Sequence, residues 1–130
     1  MTLAGNGYGK IYANPDSYCA FSDFRKMTAL NGLVSSSGAA FLDTSKVTTM
    51  SAMFNYDSSL LSLDVSKFDT SMVDDFSYMF QGCSELTAVN VSSFKTNNAT
   101  SFEAMFAYCN ELTTVDVSDW NTASCSRNHA

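Results

Sequence analysis

The 130-residue chain contains one histidine, one proline and only seven lysine and arginine residues, against 13 acidic residues. Phosphate backbones are bound by clustered Lys and Arg, so a net charge of −6 with few, scattered cations argues against a nucleic-acid partner. The single histidine, His129, is second from the end of the sequence, where no Ser-His-Asp or Cys-His arrangement can be built around it. We therefore expect a protein that is not an enzyme and uses no cofactor.

Long hydrophobic runs are also missing. The sequence has no run of about 18 apolar residues, and Met1 is not followed by a basic segment and an apolar stretch. We therefore expect no membrane insertion and no signal peptide in this chain. Two interpretations stay open, since a signal could have been removed from a precursor or the protein could follow no secretory route.

The four cysteines match no zinc-binding spacing and form no C-x-x-C pair. The glycines at Gly5, Gly7 and Gly9 superficially resemble a phosphate-binding loop. No strand precedes them and no Lys-Ser/Thr follows in register, so a flexible lid is the better interpretation. Neither feature indicates a metal or nucleotide site.

What the sequence does have is internal repetition with a period of 26 residues. The segment 43–47 (DTSKV) recurs at 69–73 (DTSMV), at 95–99 (KTNNA) and weakly at 121–125 (NTASC). A second motif, Leu-x-x-Leu/Val-x-Val-Ser-x-Phe/Trp, begins at Leu60 and recurs at Leu86 and Leu112. The sequence predicts an irregular arm or lid over residues 1–18 and one repeat domain over residues 19–130. The domain consists of a degenerate cap (19–42), three full repeats (43–68, 69–94 and 95–120) and a partial repeat (121–130).

Eight positions of each full repeat are apolar in all three copies, about twice what chance alignment of a chain 45% apolar would give. In the first repeat they are Val47, Met50, Met53, Phe54, Leu60, Leu63, Val65 and Phe68. We expect them to be buried and to align from repeat to repeat. In the cap, six of these positions are filled by Phe21, Phe24, Met27, Val34, Ala39 and Leu42.

The spacing of these positions predicts one short helix and one short strand in each repeat. The first four fall at i, i+3, i+6 and i+7, after a capping residue at Ser45, Ser71 or Asn97. Leu63 and Val65 alternate with polar residues, as in a strand with one buried face. The expected fold class is an α/β repeat solenoid of leucine-rich-repeat-like coils whose strands form a parallel ladder.

The motifs at 60–73 and 79–86 resemble the BspA-like leucine-rich repeat surface proteins. The resemblance covers residues 43–120 and depends on Asp-Thr-Ser, Met-Phe and Cys-x-x-Leu occurring together. It implies a surface protein of bacteria or protists that adheres to other proteins, and such repeats also occur in phage and cell-envelope proteins. We therefore expect an extracellular or particle-surface location.

One set of polar residues should align on a solvent-facing side of the stacked repeats. These residues form a candidate recognition strip for a protein, a glycan or a cation: Ser62, Asp64, Ser66, Ala88, Asn90, Ser92, Thr114, Asp116 and Ser118. The alternative is a solvated ladder in which Asn90 relieves repulsion between Asp64 and Asp116. One such column supplies too few oxygens for calcium, which takes six to eight.

Aromatic and sulfur side chains provide the other candidates. Tyr56, Tyr78 and Tyr108 are candidate exposed anchors for a partner. Cys83 and Cys109 share a column in adjacent repeats, where a spacing of about 4.8 Å favours two buried thiols over a disulfide.

The last full repeat carries core-type residues with little apolar sequence after it. Met105, Val117 and Trp120 are therefore a candidate assembly end, to be covered by more chain or by another subunit. The sequence leads to two hypotheses: a non-catalytic recognition or adhesion module that binds a protein or glycan through one face, or a structural subunit of a virion, filament or cell envelope that self-associates through its ends.

Overall fold

In the computed structural model, which describes residues 11–12, 15–23, 29–30 and 42–125, regular structure is confined to four strands of two residues each. They are β1 (Ile11–Tyr12), β2 (Ala29–Leu30), β3 (Leu42–Asp43) and β4 (Ser62–Leu63). β1 pairs in parallel with β3, and β2 with β4. The remaining described residues form turns and irregular backbone that pack side by side.

The 26-residue register predicted from the sequence is confirmed. Parallel bridges join Thr49 to Asp75 and Asp75 to Ser101, each one period apart. The backbone N–H of Phe54 donates to the carbonyl of Met79 at 2.8 Å, and the N–H of Phe80 donates to the carbonyl of Met105 at 2.9 Å. Each repeat therefore lies against the next in the same alignment.

The expected α/β solenoid is wrong, because the described residues contain no helix and strand is limited to the four short segments. Ala52 and Tyr56 adopt φ angles of 56° and 59°, which no right-handed helix accepts. The backbone N–H groups alternate in direction. The N–H of Met53 donates to the carbonyl of Met50 within a turn, at 3.1 Å, whereas the N–H of Ala52 donates to the carbonyl of Ser77 in the next repeat, at 2.8 Å. The apolar spacing that predicted a helix belongs instead to a ribbon of successive turns.

The predicted core positions are buried throughout repeats 43–68 and 69–94. Phe54 and Phe80 stack with ring centroids 5.6 Å apart, and Phe80 and Phe106 with centroids 5.5 Å apart, so the phenylalanine column forms as expected. In repeat 95–120 the prediction is correct for Ala99, Phe102 and Met105 only. The other five positions of that repeat are partly or largely exposed: Phe106, Leu112, Val115, Val117 and Trp120.

A second column, of buried threonines, joins the repeats through hydrogen bonds. The Oγ1 of Thr44 accepts from the N–H of Asp69 at 2.8 Å and donates to the carbonyl of the same residue at 3.1 Å. Thr70 repeats both bonds with Lys95, and Thr96 accepts from the N–H of Asn121 at 2.7 Å. Each hydroxyl thus satisfies backbone groups that the sparse strands leave without a ladder partner.

The first repeat-like segment lies in a different register from the one expected. Phe21 stacks on Phe54, with centroids 5.5 Å apart, instead of occupying the position equivalent to Val47. Asp16 pairs with Thr49, and Leu30 pairs with Leu63, each 33 positions away. These segments are offset by seven residues more than the 26-residue period, so the position predicted for Phe21 from that period is wrong. The expected positions of Phe24, Met27, Val34 and Ala39 lie outside the described residues.

Candidate functional site

The polar strip is built from three identical side-chain turns, one in each repeat. The Oδ1 of Asp64 accepts from the N–H of Ser66 at 2.9 Å and from its hydroxyl at 2.6 Å. Asn90 with Ser92, and Asp116 with Ser118, make the same pair of bonds. This geometry is an Asx turn, in which the side chain fixes the local backbone.

These bonds also set the charge of the strip. The hydroxyl and N–H of Ser66 hold the pKa of Asp64 below its ordinary value, and those of Ser118 do the same for Asp116. Both side chains are exposed, and Asn90 between them is neutral. The strip thus carries two separated carboxylates, and the hydroxyls of Ser66, Ser92 and Ser118 already donate within their own turns. Within the part of the chain that the structure describes, no group of three His, Cys, Asp or Glu residues could hold a metal ion.

The nine strip residues lie at the expected positions, one period apart. Eight are exposed, and Ser66 is half-buried. Thr114, a strip residue of the last full repeat, also lines a pocket that is described below.

The three tyrosines have different environments. Tyr56 and Tyr108 occupy equivalent positions and are exposed, whereas Tyr78 belongs to the column of Ala52 and is half-buried. Gly82 lies between Tyr56 and Tyr108 in their column, and a Cβ built on it would come within 2.4 Å of Cδ1 of Tyr56. The ring of Tyr56 therefore covers Gly82 of the next repeat, and Tyr108 is the equivalent ring one repeat after Gly82.

Cys83 and Cys109 are free thiols, as expected, although only Cys83 is fully buried. Each donates to a carbonyl of the preceding repeat: Cys83 to Phe54 at 3.2 Å and Cys109 to Phe80 at 3.0 Å. Burial raises the pKa of Cys83 far above its ordinary value and that of Cys109 to about 11. These thiols are protonated at neutral pH, which suits packing and not nucleophilic chemistry.

The candidate assembly end is only partly where the sequence placed it. Met105 is buried, and Trp120 is half-buried, stacks on Phe102 at 4.8 Å and donates from Nε1 to the carbonyl of Val91 at 3.2 Å. Val117 is 42% exposed, although its equivalents Val65 and Val91 are buried. Val117 alone of the three predicted residues is open.

A larger apolar surface surrounds Val117, and its other apolar residues are not among the predicted site residues. A pocket of about 290 Å³ is lined by Phe106, Cys109, Leu112, Thr113, Thr114, Val115 and Val117, which we call the C-terminal face. The signal in the sequence was available, because Phe106, Leu112 and Val115 occupy core columns of the last full repeat. Of the predicted assembly end, only Val117 belongs to this face, whereas Phe106, Leu112 and Val115 were expected to be buried.

Backbone donors border the C-terminal face. In the preceding repeat, the N–H groups of Phe80 and Gly82 donate to carbonyls of the following repeat. Among the residues that the structure describes, the equivalent N–H groups of Phe106 and Tyr108 have no acceptor. The face therefore combines an apolar pocket with backbone donors on alternate residues.

Together these features define a protein of 26-residue repeats that stack as ribbons of turns, with aromatic and threonine columns in place of helices. Residues 21–130 match the family described as "Mycoplasma protein of unknown function, DUF285", and the chain belongs to that family. The resemblance to BspA-like leucine-rich repeat proteins is therefore corrected, and the terms leucine-rich repeat and solenoid do not apply. No curated protein and no solved structure matches the chain significantly. Over its described residues, the structure contains no helix long and apolar enough to span a membrane.

Proposed function

We propose that this protein is a non-catalytic binding module whose contact surface for a macromolecular partner is the C-terminal face. The observation that carries the proposal is the contrast between equivalent residues of successive repeats. Leu60 and Leu86 are buried, whereas Leu112 is half-exposed, and the same holds for Val65 and Val91 against Val117. An apolar surface that is covered wherever another repeat lies against it is suited to receiving a partner.

The polar strip is a second candidate contact surface. Its support is the regular spacing of two ionised carboxylates, Asp64 and Asp116, on pre-ordered turns. The oxygens that accept within each turn are already used, and of the nine strip residues Thr114 lines the pocket of the C-terminal face. Apolar burial supplies most of the free energy of a typical interface, so the C-terminal face is the better-supported surface.

Site-specific photocrosslinking distinguishes the two surfaces. A photoreactive amino acid is placed at Val117 in one variant and at Asp64 in another, and each is exposed to extract of the source cells. The proposal expects a discrete crosslinked product from position 117 that excess unlabelled protein removes and that Leu112→Asp abolishes. Competed products from position 64 alone would transfer the function to the strip, and the absence of any competed product at 117 would contradict the proposal.

A further inference from the structure

We propose that the C-terminal face recognises a polypeptide segment in which a phenylalanine lies two positions before a glycine, as Phe80 and Gly82 do within this chain. The inference rests on the proposed function and adds the chemistry of the partner. Its basis is that the internal junctions between repeats show how an equivalent face is covered when it is occupied.

Backbone pairing indicates a polypeptide partner. At an occupied junction, the N–H of Phe54 donates to the carbonyl of Met79 at 2.8 Å and the N–H of Tyr56 donates to that of Gln81 at 2.7 Å. At the C-terminal face the corresponding donors are Phe106 and Tyr108, without an acceptor among the described residues. Carbonyls on alternate residues of an adjoining polypeptide match these donors, as in strand addition at a sheet edge. A glycan presents no such row of carbonyls.

The phenylalanine requirement follows from the aromatic column. Phe54 is sandwiched between Phe21 and Phe80, and Phe80 between Phe54 and Phe106, with neighbouring centroids 5.5–5.6 Å apart. Phe106 has a stacking partner on one side only among the described residues, and its ring lines the pocket. An incoming phenylalanine ring continues the column and fills this pocket.

The glycine requirement follows from the tyrosine column. Tyr56 covers Gly82 so closely that a Cβ at that position meets Cδ1 at 2.4 Å and Cε1 at 2.8 Å. Tyr108 has nearly the same backbone angle as Tyr56, with φ of 61° against 59°, and its side chain is 67% exposed. In a bound segment that repeats this junction, the residue two positions after the phenylalanine lies under Tyr108. Only glycine at that position leaves room for the tyrosine ring.

The test uses the full chain and a synthetic peptide with the sequence of residues 75–86, titrated by isothermal calorimetry. We expect saturable 1:1 binding, and a loss of affinity of about tenfold or more when the peptide carries Phe80→Ala or Gly82→Val. On the protein, Leu112→Asp abolishes binding, and Thr87→Asp, at an exposed position of an internal repeat, leaves it unchanged. Hydrogen exchange of the 69–94 repeat verifies that each protein variant is folded.

A compensating pair of changes makes the test specific for the proposed contact. A peptide carrying Gly82→Ala binds the unaltered protein weakly, and Tyr108→Ala in the protein restores most of the lost affinity. Equal binding of a scrambled peptide, or no saturable binding at about 1 mM peptide, overturns the inference. A competed photocrosslink at Val117 in that case still supports the proposed function, so the two failures are distinguishable.

Discussion

The hydroxyl of Thr70 bonds both backbone groups of Lys95, accepting from its N–H at 2.7 Å and donating to its carbonyl at 3.1 Å. Thr70 is buried, so its hydroxyl has little access to water and is committed to these two bonds. The same arrangement joins Thr44 to Asp69. One threonine in each repeat therefore does what a strand ladder does in a regular sheet.

Thr70→Val should lower the free energy of unfolding by about 1–3 kcal/mol, because it keeps the shape of the side chain and leaves two backbone groups of Lys95 without their partner. Chemical denaturation measures the loss. Thr87→Val is the matched control, since Thr87 is exposed, and it should change stability by less than about 0.5 kcal/mol. Equal effects of the two substitutions would show that the threonine column does not stabilise the stack.

Phe80→Ala should cost about 3–5 kcal/mol, because Phe80 is fully buried between two rings and its removal leaves a cavity. Phe106→Ala should cost clearly less, since Phe106 is half-exposed and stacks on one ring among the described residues. Denaturant titration of both variants gives the comparison. If Phe106→Ala is as destabilising as Phe80→Ala, the C-terminal face is covered in solution.

Gly82→Ala should destabilise the protein for two reasons: Gly82 has a φ of 77°, and an added methyl group meets the ring of Tyr56. Tyr56→Ala in the same chain removes the second cause and should recover part of the loss. A double-mutant cycle by thermal or chemical unfolding isolates the coupling. Strictly additive effects would mean that the ring moves away without cost.

Acid should weaken the fold partly through Asp69. The hydroxyl and N–H of Ser71 lower the pKa of Asp69 from its ordinary value of 3.8. A lowered folded-state pKa gives stability that is present above pH 3.8 and is lost as the pH falls through the folded value. Asp69→Asn keeps an acceptor in the turn, as Asn90 does in its own turn with Ser92, and removes the titrating group. Unfolding measured from pH 6 to pH 2 should therefore show a shallower decline for Asp69→Asn; an unchanged slope would exclude this contribution.

The polar strip shows which features of the candidate site could be predicted from the sequence. The positions of Asp64, Asn90 and Asp116 on one exposed column could be predicted, because they follow from the period alone. That each would accept from the serine two residues later could also have been predicted from the Asp/Asn-x-Ser spacing, which is typical of Asx turns. Of the apolar residues of the C-terminal face, only Val117 was predicted, as part of the candidate assembly end. The openness of the rest depends on what lies against Phe106 and Leu112, and the identity of those residues says only that they can be buried.

By itself, the sequence determined the 26-residue register and most of the core, because side chains that must meet in space recur at a fixed interval. It did not determine the local backbone, since an i, i+3, i+6, i+7 pattern records which side chains are buried and not where the N–H groups donate. Only the tertiary structure decided the direction in which each N–H group donates. The neighbouring repeat supplies carbonyls to the N–H groups of Ala52 and Phe54 at 2.8 Å, along a backbone in which Ala52 and Tyr56 adopt positive φ. The backbone N–H and carbonyl groups are then satisfied between repeats, so a helix within each repeat would satisfy no further backbone groups.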